Sequence, residues 1–202
     1  MTTTPADVRI LRSDDPEAVR LLDAGASVVS ESWGARLTVT PAVQARCREA
    51  VAAAEAAGWT VRALTASDAP AVVDLDASAA ADYPRTAATS HDVRYAATLA
   101  DDLGAGRRWA FGALGADGGL DAATVLNPAG DLIETDFTVT RAGARRRGLA
   151  TAVKGAAVLA LAAEGRRFGT GGAGVNAGSR RANESLGYVV TERWLHLVAA
   201  SG

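Results

Sequence analysis

The chain has 202 residues, of which 49% are apolar and 22% charged, and its formal net charge is −2. This balance is typical of a globular protein with a buried core; it excludes a disordered chain and argues against a dedicated nucleic-acid binder. The single cysteine excludes an internal disulfide framework. Because there are also only two histidines, we expect no metal site.

The first part of the chain predicts a strand–helix–strand unit followed by a longer helix. Periodicity and capping signals place a strand at 8–11, a helix at 16–23, one or two strands within 28–39 and a helix at 41–57. Pro16 and Pro41 suit the first turn of a helix, and Gly58 suits the end of one.

From Gly58 onward the sequence predicts a longer run of strands and helices. It begins with a strand at 59–64 and helices at 71–80 and 91–103. Three antiparallel strands follow at 107–114, 120–126 and 132–140, joined by turns at 117–119 and 127–130. The chain then continues with a helix at 148–163, a strand at 167–173, a helix at 179–186 and a strand at 188–198. Helices packed on a mixed sheet, an α/β (α+β) architecture, are therefore expected.

Two six-residue segments resemble each other. Val28-Val29-Ser30-Glu31-Ser32-Trp33 is similar to Val189-Val190-Thr191-Glu192-Arg193-Trp194, and each follows a short helix and a glycine. Coincidence between two strands and an ancient duplication both remain open. Under the second interpretation, residues 1–57 are a partial domain and residues 58–202 the main domain. The sheet edges of the partial domain would then pack on the main domain or on a second subunit, which makes a homodimer possible.

The segment Arg145-Arg146-Arg147-Gly148-Leu149-Ala150 lies between a predicted strand and a predicted helix. A loop that opens a helix presents free backbone N–H groups and the positive end of the helix dipole, which together suit a phosphate. Gly148 would let a ligand approach the backbone, and arginines can pair with phosphate oxygens. The segment is neither a Walker loop nor a dinucleotide fingerprint, because the lysine and the glycine spacing that these motifs require are missing.

The pattern Arg-x-x-Gly-x-Ala after a strand resembles the GNAT (GCN5-related) superfamily of acyl-CoA-dependent N-acetyltransferases. The similarity covers about 59–198. The similarity continues downstream, where one GNAT branch has Thr-x-Asn-x-x-x-Asn-x-x-Met-x-x-x-Asn: Thr170, Asn176 and Asn183 match the threonine and the last two asparagines. The closing Leu186-Gly187-Tyr188 resembles the Leu-Gly-Phe of that branch. Gly172 and Ser179 depart from that branch, which has asparagine and methionine there. The resemblance implies a GNAT fold with a mixed central sheet, preceded by a half-GNAT-like appendage.

The resemblance also implies acetyl-CoA as the cofactor and transfer of the acetyl group to a primary amine by direct attack in a ternary complex. The strand end Thr138-Val139-Thr140 would bind the pantetheine arm, and a backbone N–H there would stabilise the oxyanion. Asn176 would contact the pantetheine or the acetyl-bearing end. The diphosphate would lie on the loop and the first helical turn, that is, on Arg145, Arg146, Arg147, Gly148, Leu149, Ala150 and Thr151.

Candidates for proton transfer and acceptor binding lie on the strand at 132–140 and in one loop. Glu134, Asp136 and Thr138 alternate along that strand and are expected to share one face, from which Glu134 or Asp136 could act as the base and Glu134 could attract a cationic amine. Tyr83 lies in the loop that borders the acceptor in GNAT enzymes. The position where many of these enzymes have an acidic tyrosine is Asn183 here, so water or the low basicity of the thiolate itself would have to replace that acid.

Two other functions compete with the transferase hypothesis. A catalytically silent acyl-CoA-binding or regulatory module would account for the missing tyrosine at Asn183. A nucleic-acid-associated protein could use the triple arginine, but the acidic balance argues against it. We expect a small-molecule amine as the acceptor, with no nucleic-acid or membrane partner. No secretory signal or membrane-spanning run is recognisable, so a cytoplasmic location is expected.

Overall fold

The computed structural model describes residues 8–82, 97–162 and 167–199. Within these ranges eight strands form one sheet in the order β1-β8-β2-β7-β6-β5-β4-β3. The strands are β1 (Val8–Arg12), β2 (Ser27–Leu37), β3 (Thr60–Leu64), β4 (Trp109–Leu114), β5 (Leu120–Ala129), β6 (Leu132–Thr140), β7 (Arg167–Ala173) and β8 (Val189–Val198). Each neighbouring pair is antiparallel except β6 and β7, so the sheet is mixed, as predicted.

The helices lie in the predicted regions, but two of them begin two residues earlier than predicted, at Ala69 and Ala177 instead of 71 and 179. They are α1 (Pro16–Asp23), α2 (Pro41–Ala56), α3 (Ala69–Ala79), α4 (Leu99–Gly104), α5 (Leu149–Leu161) and α6 (Ala177–Leu186). The Asp15 carboxylate accepts from the Glu17 amide at 2.8 Å, and the Thr40 hydroxyl accepts from the Val43 amide at 3.2 Å. Of the helix predicted at 91–103, only the part from Leu99 falls within the described residues as helix, and residues 91–96 lie outside them.

The core lies on both faces of the sheet. On one face, Val72 and Leu75 of α3 pack against Val125 of β5 and Phe137 of β6. On the other face, α5 packs against the sheet and against α2 and α6. Gly155 of α5 permits the close approach of α2, because a Cβ there would lie 3.1 Å from the carbonyl oxygen of Cys47.

The strands that precede residue 58 belong to the same sheet as those that follow it. β2 lies between β7 and β8, and β1 pairs with the outer edge of β8. The two similar segments are therefore neighbours, with Val28 opposite Leu197 and Trp33 opposite Arg193. Trp33 is buried and donates from Nε1 to the carbonyl oxygen of Ala173 at 3.2 Å. The boundary at residue 58 and the duplication stay predictions.

The only parallel pair of strands in the described sheet is short. β6 and β7 are in register over Leu132–Glu134 and Arg167–Gly169, and then both strands continue without pairing with each other. Beyond this point β6 pairs with β5 alone and β7 with β2 alone. The sheet therefore opens into a wedge whose apex is at Glu134 and Gly169.

Two local features of the β5–β6 hairpin differ from the sequence prediction. β5 continues through Pro128, so the turn is shorter than 127–130 and includes Gly130 at φ +64. Pro128 is tolerated because β5 no longer pairs with β4 beyond Leu126. β6 contains a β-bulge, since Leu126 pairs with Thr135 and Val125 with Phe137, which leaves Asp136 as the extra residue.

The bulge overturns the expectation that Glu134, Asp136 and Thr138 share a face. Before it, Ile133 packs in the cluster that includes α5; after it, Phe137 packs in the cluster that includes α3. Glu134 therefore lies on the face of α3, and Thr138 lies on the face of α5, where its hydroxyl bonds that of Thr124 at 2.8 Å. The extra residue shifts the alternation by one position, which a strict period of two cannot anticipate.

Candidate functional site

A cavity of about 630 Å³ lies where the wedge meets the N-terminus of α5. β6, the loop after it, α5 and α6 all contribute to its wall. Every predicted cofactor-contact residue except Arg147 lines it, namely Thr138, Val139, Thr140, Arg145, Arg146, Gly148, Leu149, Ala150, Thr151 and Asn176. Residues proposed separately from a strand end, a loop and a helix start thus form one continuous concave surface.

The backbone of the loop at 145–148 has an unusual conformation. Arg146 is the only non-glycine residue of the described chain with a positive φ, at 62°, and Gly148 has a φ of 80°. α5 starts immediately afterwards, and the amide of Ala152 donates to the carbonyl oxygen of Gly148 at 2.9 Å. The amides before Ala152 have no acceptor within the helix, so they are available at its positive end. A left-handed arginine is a strained conformation of the kind found at ligand sites.

Contacts on both sides hold this loop in place. Arg141 donates to the Asp121 carboxylate at 2.9 Å and to the carbonyl oxygen of Leu120 at 2.7 Å, which ties the loop to the start of β5. Ala144 and Leu149 are buried in a cluster with Ala152 and Val153 of α5. The small and apolar residues around the arginines therefore fix the backbone while the arginine side chains stay outside the core.

The three arginines have different roles in the structure. Arg145 donates to the Asp82 carboxylate at 2.5 Å and to the carbonyl oxygen of Thr140 at 3.1 Å, so its guanidinium lies across the rim of the cavity. Arg146 lines the cavity. The Arg147 guanidinium stacks on the Trp59 ring, 5.6 Å from its centroid, and Arg147 does not line the cavity. The predicted diphosphate contact of the Arg147 side chain therefore lacks geometric support, although its backbone belongs to the loop.

α6 forms the opposite wall. The Asn176 side chain caps the helix by accepting from the Ser179 amide at 3.0 Å, and Asn176 also lines the cavity. Asn183 is buried and donates to the carbonyl oxygen of Ser179 at 2.9 Å. Asn183 does not line the cavity, so this position offers no group toward its interior.

Glu134 lies at the apex of the wedge, on the α3 face of the sheet. A Cβ on Gly169 would lie 1.8 Å from Glu134 Oε2, so the glycine of β7 makes room for the carboxylate. Burial raises the pKa of Glu134, and nearby Glu192 raises it further, while Arg36 and Lys154 oppose the shift. Arg36 Nη1 is 3.8 Å from Glu134 Oε1, and Arg36 Nη2 donates to Glu192 at 3.0 Å. The arrangement gives a half-buried carboxylate that is more basic than usual.

Asp136, the other predicted reaction residue, is placed less favourably. Asp136 is exposed on the bulge and forms an ion pair with Arg108. Neither Glu134 nor Asp136 lines the 630 Å³ cavity, so the structure does not bring these carboxylates together with the predicted cofactor contacts. Tyr83, the predicted acceptor contact, lies outside the described residues.

Lys154 is a cavity residue that our sequence analysis did not select. It is 4% exposed, lines the cavity from α5, and donates to the hydroxyls of Thr135 at 3.3 Å and Thr170 at 3.1 Å. Burial lowers its pKa to about 7. A signal was present in the sequence, because Lys154 is the only lysine in the chain.

The remaining chemistry-bearing groups form no second centre within residues 8–82, 97–162 and 167–199. No group of three His, Cys, Asp or Glu side chains there could hold a metal ion. Cys47 is buried, and burial raises the pKa of its thiol to about 11. In the same ranges no helix has the length and apolarity needed to cross a bilayer.

The mixed sheet, the diverging parallel strands and the loop–helix junction at the opening define an α/β protein with a ligand cleft inside its sheet. Comparison with solved structures identifies this architecture as the GNAT fold, which confirms the resemblance at the level of fold. No family model matches the sequence, and no curated protein matches it either.

Three of the similar structures illustrate how far the likeness extends. A GCN5-related N-acetyltransferase from Sphaerobacter thermophilus is 15% identical with a TM-score of 0.63, over 94% of this chain and 58% of that one. A GNAT-family acetyltransferase from Colwellia psychrerythraea is 15% identical with a TM-score of 0.63, over 96% of this chain and 65% of that one. A tandem GNAT protein from the clavulanic acid biosynthesis pathway is 20% identical with a TM-score of 0.58, over 98% of this chain and 63% of that one. The present chain thus spans less than two thirds of each of these three proteins.

Proposed function

We propose that this protein is an acyltransferase that uses acetyl-CoA to acetylate a primary amine of a small molecule. The observation that carries the proposal is the single cavity that joins the free end of β6, the arginine–glycine loop and the first turn of α5. Such a cavity offers a phosphate cradle at one end and exposed strand backbone at the other, which matches the two chemical parts of a coenzyme A molecule. Two of the similar structures are acetyltransferases, which agrees with this function.

The residues present fit the cofactor in charge and in space. A Cβ built on Gly148 meets no atom within 4 Å, so open space lies beside the loop backbone. The amides of Leu149, Ala150 and Thr151 belong to the first helical turn, and Arg145, Arg146 and Arg181 line the same cavity. We therefore assign the diphosphate to this end and the pantetheine arm to Thr138, Val139 and Thr140.

When bound, acetyl-CoA supplies an activated acetyl thioester. The chain's own part is to hold that group, to orient the amine and to move protons. Beyond the apex, the β6 edge that faces β7 is free of ladder pairing, so its N–H groups are available to the ligand and to an oxyanion. Glu134 is our candidate base, because its raised pKa makes the carboxylate a better proton acceptor from an ammonium or through water.

One observation favours a different function, that of a catalytically silent acyl-CoA-binding module. Asn183 occupies the position where a tyrosine would supply a proton, and it is buried with its amide bonded to Ser179. A protein that binds the cofactor without turnover would need no acid there. The two candidates share the cradle and differ in whether an acceptor triggers release of the thiol.

The test is a pair of measurements on the same preparation. Calorimetry with coenzyme A reports binding, and a thiol-release assay with acetyl-CoA and a panel of primary amines reports transfer. Binding together with amine-dependent release supports the transferase. Binding without release for any amine, peptide or aminoglycoside supports the silent module. Absence of coenzyme A binding at millimolar concentration refutes both.

A further inference from the structure

Lys154 is chemically unlike every other basic side chain of the protein. The sequence contains 21 lysine and arginine residues in total, and Lys154 is the only lysine among them. It is also buried, at 4% exposure, whereas the arginines of the loop are on the surface. An arginine keeps its proton at any physiological pH, but a buried lysine can lose one. Within the described part of the chain, the buried basic position that faces the cavity therefore carries the titratable residue.

The ammonium of Lys154 lies at the apex of the wedge. It donates to the hydroxyl of Thr135 on β6 at 3.3 Å and to that of Thr170 on β7 at 3.1 Å. These threonines directly follow Glu134 and Gly169, the last pair of residues in register between the two strands. Lys154 thus bridges the strands on the α5 face at the point where they separate, and it lines the cavity.

Two hydrogen bonds and the Tyr188 ring, 5.6 Å from Nζ, surround the ammonium, and its third N–H has no hydrogen-bond acceptor among the described residues. An ammonium has three N–H donors, and the two threonine hydroxyls account for two of them. Loss of the third proton would leave a neutral amine that still makes both bonds. The cavity is the side on which that third donor can meet a ligand, because Lys154 contributes to its wall.

Two of the titratable groups around Lys154, Tyr188 and Cys47, do not compete for this proton. The Tyr188 ring lies 5.6 Å from Nζ, and burial raises the pKa of its hydroxyl, so it is neutral. Cys47 on α2, which interacts with Tyr188, is also neutral at pH 7. Glu134 is the carboxylate that acts on Lys154 electrostatically, and Arg145, Arg146 and Arg181 line the same cavity.

We propose that Lys154 is the general acid of this site and that it protonates the thiolate of coenzyme A as the acetyl group leaves. The inference rests on the proposed transferase function. In the step, the acceptor nitrogen bonds to the acetyl carbon while the carbon–sulphur bond breaks with its electron pair on sulphur. The third proton of Lys154 passes to that sulphur, and the proton lost by the acceptor nitrogen is taken up by Glu134 or water. Lys154 then regains a proton from solvent.

Two observations support this role. Asn183 offers no acid and does not line the cavity, whereas Lys154 on α5 does line it and carries a transferable proton. Burial also lowers the pKa of Lys154 to about 7, which places its proton loss in the range where a thiolate can accept it. Helix geometry places Lys154 about 9 Å along α5 from Gly148, on the side of the cavity away from the diphosphate cradle.

The titration can be measured on the unmodified protein. Because the chain has a single lysine, incorporation of lysine labelled with carbon-13 at Cε gives one signal, which reports Lys154 alone. We expect the NMR midpoint to lie near 7 and the signal to shift when coenzyme A is added. A midpoint at the ordinary lysine value of about 10.4, or a signal that does not respond to coenzyme A, would overturn the proposal.

Kinetics of Lys154→Met and Lys154→Arg supply the second test. Both variants should lose about a hundredfold or more in kcat, as expected for loss of an acid, with unchanged affinity for coenzyme A. We expect an alkaline fall in kcat for the wild-type protein, and this fall should disappear in both variants. Thr170→Val is the matched control, because it removes one bond to Nζ and keeps the amine; its alkaline fall should persist.

The outcomes separate this inference from the function on which it rests. A wild-type protein that binds coenzyme A but never releases thiol refutes the transferase itself. A wild-type protein that transfers acetyl groups while Lys154→Met keeps its rate and pH profile refutes only the role of Lys154. An acetyl group found on Lys154 by mass spectrometry would refute it too, because the lysine would then be an acyl carrier. If Lys154→Met does not fold, Lys154→Arg and the NMR titration still decide.

Discussion

Replacing Gly148 by alanine tests the cradle at the start of α5 with a single methyl group. Gly148 has a φ of 80°, in the left-handed region, and a Cβ there would meet no atom within 4 Å. The substitution therefore produces no clash in the folded protein. It has two separate effects, which are conformational strain and a methyl group in the space that we assign to a phosphate.

The magnitudes of these effects can be estimated separately. A non-glycine residue in the left-handed region costs about 1–2 kcal/mol, which lowers the melting temperature of a protein of this size by about 2–8 °C. The methyl group would also break at least one hydrogen bond from an amide to a charged oxygen, which is worth about 1.5–3 kcal/mol. We therefore expect the dissociation constant of coenzyme A to rise by about tenfold or more.

The assay is calorimetric titration of coenzyme A together with thermal unfolding. Gly118→Ala is a matched control, because Gly118 has a φ of 77°, has no atom near a built Cβ, and lies in the β4–β5 turn. Both variants should lose similar stability, and only Gly148→Ala should lose affinity. Equal affinity in the two variants would show that the diphosphate does not bind at the loop and would refute the placement of the cofactor.

Three further substitutions test the neighbouring groups. Glu134→Gln should lower kcat and remove the acid limb of the rate profile. For the wild-type protein we expect this limb above the usual glutamate range, because burial raises the pKa of Glu134. An unchanged acid limb would exclude Glu134 as the base. Asp82→Asn frees Arg145 and removes a negative charge from the rim, so it should tighten coenzyme A binding about two- to fivefold in low salt, by calorimetry; weaker binding would contradict this. In denaturant unfolding, wild-type stability should rise relative to Lys154→Met by about 1.4 kcal/mol per pH unit above pH 7, up to the ordinary lysine value. A difference that is independent of pH would show that Lys154 titrates normally.

Proton binding makes the wild-type protein gain stability over Lys154→Met as the pH rises above 7. Burial lowers the pKa of Lys154 in the folded protein, so above pH 7 the unfolded chain still holds a proton that the native state has lost. Stability rises with pH wherever the unfolded state binds more protons. Methionine does not titrate, so the difference between the two proteins isolates the contribution of this one amine.

The loop at 145–148 and the helix after it could be predicted because their signals are local. Gly148, the arginines and the apolar run of α5 lie within twenty residues of one another, and the helix begins at Leu149 as the pattern indicates. The motif that predicts cofactor contact for Asn176 is also short. Residues that were chosen for cofactor contact therefore meet in one cavity.

The carboxylates show the limit of local reasoning. Alternation along β6 predicts one face for Glu134 and Thr138, but the bulge at Asp136 places them on opposite faces. A bulge depends on how two strands fit together, and it has no residue signature in this strand. The ion pair between Asp136 and Arg108 joins residues 28 positions apart and is equally invisible in the sequence.

By itself the sequence determined the identity and order of most helices and strands, the resemblance to the GNAT fold, and the loop at 145–148, because periodicity, caps and glycines act over a few residues. Only the tertiary structure decided that β2 lies between β7 and β8, that β6 and β7 separate after Glu134 and Gly169, and that Lys154 bridges them. Strand partners and buried polar contacts are chosen among distant residues by packing and hydrogen-bond satisfaction, and these forces leave no periodic trace along the chain.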